Sequence, residues 1–209
     1  MLTIHTLILG PLENNTYILG DEKSGEAAVV DPSFELEPML DLLEENEYRL
    51  RFILLTHAHF DHMVNALTLS NHYEPPVKIA LHPSDLPLWE NGGSASLFGL
   101  TFQPDRAPGF HFHHGQKIHL GQEEIEIRHT PGHSPGSVIF VLHGNQIALT
   151  GDLIFYRGVG RTDLPGGEPH SLIESIQSQV FTLPPAYGLL PGHGPATTVT
   201  DEIKLNPFL

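Results

Sequence analysis

The chain has 209 residues, 40% of them hydrophobic and 17% charged, which is ordinary for a soluble globular protein and enough for one sizeable domain or two small ones. Twenty-five acidic against ten basic side chains give a formal charge of -15, which disfavours a nucleic-acid partner because gripping phosphates needs a basic patch. The absence of cysteine removes disulfides, thiolate metal sites and a cysteine nucleophile. With no basic-then-apolar leader and no apolar run of membrane length, a cytoplasmic protein is expected.

In chain order, 2–9 and 16–20 read as strands around a turn containing Gly10, Pro11, Asn14 and Asn15. Residues 27–30 form a third strand, stopped by Asp31-Pro32. Leu36, Leu40 and Leu43, with Met39 beside them, predict an amphipathic helix over 35–47. The apolar run 51–56 predicts a buried strand, and the stretch from Met63 to about His72, free of Gly and Pro, predicts a helix. Between them lies Thr56-His57-Ala58-His59-Phe60-Asp61-His62, three imidazoles and a carboxylate at the carboxyl end of a strand, where open α/β sheets place their ligands. His57 and His59, two apart on an extended loop, point the same way. Asp61 and His62 open the next helix, and neutral imidazole with carboxylate suits zinc, iron or manganese.

A strand is expected over 77–81, then an irregular stretch over 83–116 of the kind that often forms a lid or binding segment. His111, His113 and His114 fall in it as exposed side chains, a second metal site there being the weaker reading. His5, His72, His82, His119, His129, His143 and His170 have no converging partners in sequence and are expected to be structural or superficial.

Beyond residue 117 one pattern recurs three times. An apolar strand runs into a glycine, and a ligand-type residue follows: Pro131-Gly132-His133, Thr150-Gly151-Asp152 and Pro191-Gly192-His193. Taken alone each is a turn; four strand ends carrying such residues argue for one metal pocket. Leu172, Ile173, Ile176 and Val180 mark a further helix. Strands and helices alternate without a visible boundary or repeat, so a single α/β domain over 1–209 is expected.

The motif H-x-H-x-D-H at His57, His59, Asp61 and His62, followed in order by His133, Asp152 and His193, resembles the metallo-β-lactamase superfamily over nearly the whole chain. The resemblance implies a four-layer αβ/βα sandwich. It implies one metal on His57, His59 and His133, another on Asp61, His62 and His193, and Asp152 bridging them. The two divalent ions would be zinc first, with iron or manganese as alternatives. Within the superfamily the chain looks like the short glyoxalase II-like hydrolases that cleave acylglutathione thioesters. Arg161, in Gly158-Val159-Gly160-Arg161-Thr162-Asp163, falls where those enzymes carry a basic residue that contacts glutathione. The chain stops soon after His193, so the helical glutathione-binding domain of full-length glyoxalase II is not expected.

The expected chemistry is thioester hydrolysis. Metal coordination brings the pKa of water from about 15.7 to about 7 and so supplies a metal-bridging hydroxide. Asp61 would orient that oxygen, and a thiolate leaving group with a conjugate-acid pKa near about 8.5 needs no strong general acid. Arg161 would pair with a substrate carboxylate, while Arg157 reads equally well as a solvated loop charge. Three alternatives share the motif. They are a mononuclear-iron glutathione persulfide dioxygenase using His57, His133 and Asp152, another ester or lactone hydrolase, and a non-catalytic metal-binding module. The missing export signal counts against a β-lactamase, and the acidic balance against an RNA-processing nuclease.

Overall fold

The computed structural model describes residues 1–209. Its first half builds a six-stranded sheet in the order β1 (Thr3–Leu9), β2 (Asn14–Asp21), β3 (Glu26–Val30), β4 (Arg49–Leu54), β5 (Lys78–Leu81) and β6 (Phe110–His111). The first three strands are antiparallel and the rest parallel. The amphipathic helix α1 (Leu36–Glu45) makes the crossover between β3 and β4.

The second half builds the facing sheet from β7 (Lys117–Leu120), β8 (Glu123–His129), β9 (Val138–Leu142), β10 (Ile147–Gly151), β13 (Gly188–Pro191) and β14 (Thr197–Thr198). A small hairpin of β11 (Ile154–Phe155) and β12 (Gly158–Val159) sits between β10 and β13 in the chain.

Alternation of side chains along the strands sorts the residues into layers. Tyr17, Leu19, Ala28, Val30 and Leu54 of the first sheet meet Ile125, Ile127, Phe140 and Leu149 of the second in a shared inner core. Ile18, Ala27, Val29 and Ile53 turn outward onto α1 and onto Met63, Ala66 and Leu69. On the far side Ile139, Val141, Ala148 and Leu189 pack against Leu172, Ile176, Val180 and Val199. Helix, sheet, sheet, helix is the expected four-layer αβ/βα sandwich. Each valine, leucine, isoleucine, phenylalanine or methionine among them contributes about 1.5–3 kcal/mol by its burial.

Several elements differ from the sequence reading. The expected helix after His62 is broken into α2 (Phe60–Met63) and α3 (Ala66–Asn71). Asn65 lies at the break, its backbone N–H donating to Pro32 O (3.1 Å) and its amide to Ser33 O (2.6 Å). Strand β9 escapes the alternation rule because all five residues of Val138–Leu142 are buried, one face on each core. The irregular stretch holds a 3₁₀ turn at Pro83–Asp85, α4 (Leu86–Glu90), a 3₁₀ segment at Gly92–Phe98 and β6. Trp89 anchors it, buried and donating to Arg106 O at 2.9 Å. The expected 172–180 helix is α5 (Pro169–Ser175) running into a π-helical turn, Ile176–Val180. A last helix, α6 (Val199–Leu205), follows β14.

Candidate metal centre

Four strand ends meet at one edge of the sandwich. β8, β10 and β13 all run the same way, so their carboxyl ends deliver His133, Asp152 and His193 side by side. The carboxyl end of β4 faces them across the inner core, joined by the Val138 N–H donating to Thr56 O (2.8 Å). His59 is extended (φ -75°, ψ 145°), and α2 presents Asp61 and His62 from its first turn. Two glycines are required here. Gly151 turns the chain at φ +48°, and a Cβ on Gly192 would strike Asp152 Oδ1 and come within 2.6 Å of His62 Cε1.

All seven expected ligands therefore come together. His133 Nε2 lies 2.8 Å from His59 Nδ1 and 3.2 Å from His57 Nε2. Asp61 Oδ2 lies 3.5 Å from His62 Nε2 and 3.4 Å from His193 Nε2. Each trio has its donor atoms within 4.8 Å of one another, close enough to hold a metal ion. Asp152 spans the two, with Oδ1 3.3 Å from His62 Nε2 and Oδ2 3.7 Å from both His133 Nε2 and His193 Nε2.

Hydrogen bonds behind the rings decide which nitrogen faces the centre. His133 Nδ1 donates to Arg161 O (2.8 Å), and His193 Nδ1 donates to Leu12 O (2.9 Å). His62 Nδ1 donates to Asp31 Oδ2 (3.0 Å). Thr56 Oγ1 gives its proton to Asp31 Oδ2 (2.6 Å) and so accepts from His57 Nδ1 (3.0 Å). Each of these four rings, once its outer nitrogen carries the proton, turns a bare Nε2 inward. Lone pairs then face lone pairs and carboxylates at 3.2–3.7 Å, an arrangement that only a cation or an added proton reconciles. The buried His62 Nε2 and Asp152 Oδ1 have no hydrogen-bond partner, as expected of atoms reserved for a metal. His59 differs, facing the centre through Nδ1 and leaving its buried Nε2 unpartnered. The donor set fits divalent metal.

The electrostatics of the metal-free protein agree. Burial and the neighbouring His62, His133 and His59 push His57 well below the usual imidazole range, which keeps it a neutral ligand. Burial also lowers His59, with His133 adding to it, to about 3. Burial works against ionising Asp61, but His62, His193 and Asn14 outweigh it and hold the carboxyl at about 2. Burial would lower His62, yet Asp152, Asp61 and Asp31 raise it well above the usual range, a sign of how much negative charge gathers around this ring.

Residues outside the motifs complete the centre. Asp31, which stops β3, accepts from Thr56 N (2.7 Å), Thr56 Oγ1 and His62 Nδ1. Its signal was present, since it is a carboxylate at a strand end like Asp152. Asp85, fully buried, accepts from Ala58 N (2.9 Å), Ser134 Oγ (2.7 Å) and Gly136 N (2.6 Å), clipping the loops of His57 and His133 together. Asn14 donates to Asp61 Oδ2 at 2.9 Å. Neither Asp85 in an irregular stretch nor Asn14 in a turn carried a recognisable sequence signal.

The centre opens into a cavity of about 250 Å³, whose walls include Leu12, Phe60, Phe98, Leu164 and Arg161 beside His59, Asp61, His133, Asp152 and His193. Arg161 thus lines the cavity, its half-exposed guanidinium bound to Asp163 at 2.6 and 2.8 Å. Arg157 lies elsewhere, donating to Leu205 O and stacking over Tyr156. Of the histidines expected to be structural or superficial, His82 and His129 stack on each other at 4.0 Å. His111, His113 and His114 join no metal-binding trio.

A four-layer sandwich with this His and Asp cluster at its shared edge marks a metalloenzyme. The chain belongs to the metallo-β-lactamase superfamily, whose family model matches residues 9–193. It is 37% identical to hydroxyacylglutathione hydrolase GloC of Haemophilus influenzae, the match covering 94% of this chain and 92% of that one. Among solved structures it is similar to the BLEG-1 B3 metallo-β-lactamase, at TM-score 0.92 and 31% identity over 99% of both chains. It is also similar to TTHA1623 in a di-iron-bound form, at TM-score 0.88 and 36% identity over 98% of this chain and 100% of that one. No helix is long and apolar enough to cross a membrane.

Proposed function

We propose that the protein is a binuclear metallohydrolase that cleaves the thioester of a hydroxyacylglutathione. The observation that carries this reading is the pair of ligand trios joined by Asp152 on the wall of a cavity that Arg161 also lines. The 37% identity to a hydroxyacylglutathione hydrolase supports the choice of substrate. His57, His59 and His133 would hold one divalent ion, Asp61, His62 and His193 the other, and Asp152 both. Zinc is the first choice, and the di-iron-bound neighbour makes iron the second. When bound, the ions supply a low-pKa water and polarise the thioester carbonyl.

The chain's own residues do the rest. Asp61, ionised at neutral pH and held by the Asn14 amide, accepts a hydrogen bond from the attacking water and aims it. Phe60, Phe98, Leu12 and Leu164 exclude bulk water from the acyl carbon. Arg161, sharing its guanidinium between Asp163 and the substrate, pairs with a glutathione carboxylate. The departing thiolate leaves without an acid because thiol pKa values lie near about 8.5. Such a substrate needs neither nucleic acid nor membrane.

The test combines metal analysis of protein purified without added metal with lactoylglutathione turnover on the same sample. Two divalent ions per chain and thioester cleavage are expected. One iron per chain, with oxygen consumed on glutathione persulfide and no cleavage, would replace this reading by a dioxygenase. The likeness to BLEG-1 adds one more arm, since faster turnover of a β-lactam than of the thioester would make this a lactamase.

A further inference from the structure

A second and larger cavity, about 430 Å³, lies beside the catalytic one. The two share three stretches of wall. The 3₁₀ segment Gly92–Phe98 gives Gly93 and Phe98 to the catalytic cavity, and Ser94, Ser96 and Leu97 to the larger one. The loop after Arg161 gives Leu164 to one and Pro165 and Gly166 to the other, and Pro135 lies two residues beyond His133. The partition is unusual backbone. Gly92, Gly93 and Ser94 have φ of +70°, +61° and +65°, and Ser94 is a side-chain-bearing residue held in the left-handed region. That conformation costs on the order of 1–3 kcal/mol, a strain that clusters at ligand clamps and active sites. A Cβ on Gly93 would fall 2.6 Å from Ala58 O, so the partition lies directly against the loop that carries His57 and His59.

The chemistry of the larger cavity is distinctive in this acidic protein. Its lining holds no charged or titratable side chain, only hydroxyls, one amide and the apolar bodies of leucine and proline, such as Leu88, Asn91 and Ser96. A glutathione moiety brings carboxylates and an ammonium, and burying these without partners is costly. The cation available to them is Arg161, in the catalytic cavity. We propose that the larger cavity is the acyl subsite of the enzyme and takes an uncharged acyl chain longer than lactoyl, while the charged thiol half stays on the Arg161 side. This assignment rests on the thioester hydrolase reading and extends its acyl group from lactoyl to uncharged chains of medium length.

The holoenzyme is assayed with lactoyl-, butyryl- and hexanoylglutathione, and beside wild type with Ser96→Trp and Ser84→Phe, two exposed positions that line the cavity. In wild type kcat/KM rises with chain length, by up to about fourfold per buried methylene, equivalent to about 0.8 kcal/mol. The rise is carried by KM. Either filling substitution flattens the rise, so that hexanoylglutathione loses more of its kcat/KM than lactoylglutathione does. Calorimetric binding of S-methyl- and S-hexylglutathione, which cannot be hydrolysed, reads the cavity without turnover, and tighter binding of the hexyl compound is expected in wild type and not in the filled variants. Equal affinity for the two thioethers, or a length dependence that survives both substitutions, would overturn the subsite. Loss of thioester cleavage at every length alongside tighter hexyl binding would instead overturn the hydrolase reading and leave the cavity standing.

Discussion

Two groups of histidines lie on this chain, and only one of them is a candidate metal centre. Around His57 five imidazoles converge with Asp61 and Asp152, and Asp31, Thr56 and main-chain carbonyls fix the tautomers of four rings. Around His82 the chain also gathers imidazoles, with His129 stacked on it at 4.0 Å and His111 and His113 near enough to be felt. Burial and those three neighbours lower His82 to about 4. Burial acts on His62 in the same direction, but three carboxylates reverse it. The difference teaches that histidine density does not make a metal site. A site needs carboxylates among the rings and acceptors behind them, so that bare nitrogens point inward before any ion arrives.

The largest effect is expected on removing the carboxylate that lies between the two trios. Asp152→Ala is expected to lower kcat/KM for lactoylglutathione by more than about 100-fold and to reduce bound metal, measured by steady-state assay and elemental analysis. A matching loss of metal or activity in His82→Gln would erase the distinction between the two clusters. Next in size, Asp31→Asn removes the charge that orients His62 and Thr56 while leaving all seven expected ligands in place. It should weaken metal affinity about 10–100-fold, read by competition with a chromogenic chelator.

Asp85→Ala sharpens the comparison on the side of stability. It strands the N–H groups of Ala58 and Gly136 and the Ser134 hydroxyl, and should cost about 3 kcal/mol in urea denaturation of the metal-free protein. An unchanged midpoint would show that the two loops hold together without it. The smallest effect belongs to the outer cluster. His82 binds its proton at about 4 when folded and near the ordinary 6.5 when unfolded. The unfolded chain therefore takes up more protons between those values, and stability falls as pH drops through that window. His82→Gln should narrow the gap between melting temperatures at pH 7 and pH 5, measured by calorimetry. Because His82 is only half-buried, solvent screens the effect and a modest change is expected.

Residue patterns alone carried the α/β class and the four strand ends whose seven ligand-type side chains cluster, while the four-layer arrangement followed from the family resemblance. A period-two strand such as Glu123–His129, with Ile125 and Ile127 buried between polar neighbours, and the Leu36, Leu40 and Leu43 spacing of α1, encode locally which face is buried. Strand-end glycines likewise announce the turns that carry His133, Asp152 and His193. Only the tertiary structure decided which other residues support them. Asp31 is 31 positions from His62, Asp85 is 49 from Ser134, and Asn14 is 47 from Asp61; Asp31 ends a strand as Asp152 does, but nothing local names its partner, and nothing local distinguishes Asp85 or Asn14 from turn residues. The fully buried run Val138–Leu142 was illegible for a related reason, because a strand covered on both faces loses its alternation. Local patterns record what a residue does to its own backbone and its own face. A hydrogen bond between loops brought together by two packed sheets leaves no such record, since it exists only once the cores between those sheets have closed.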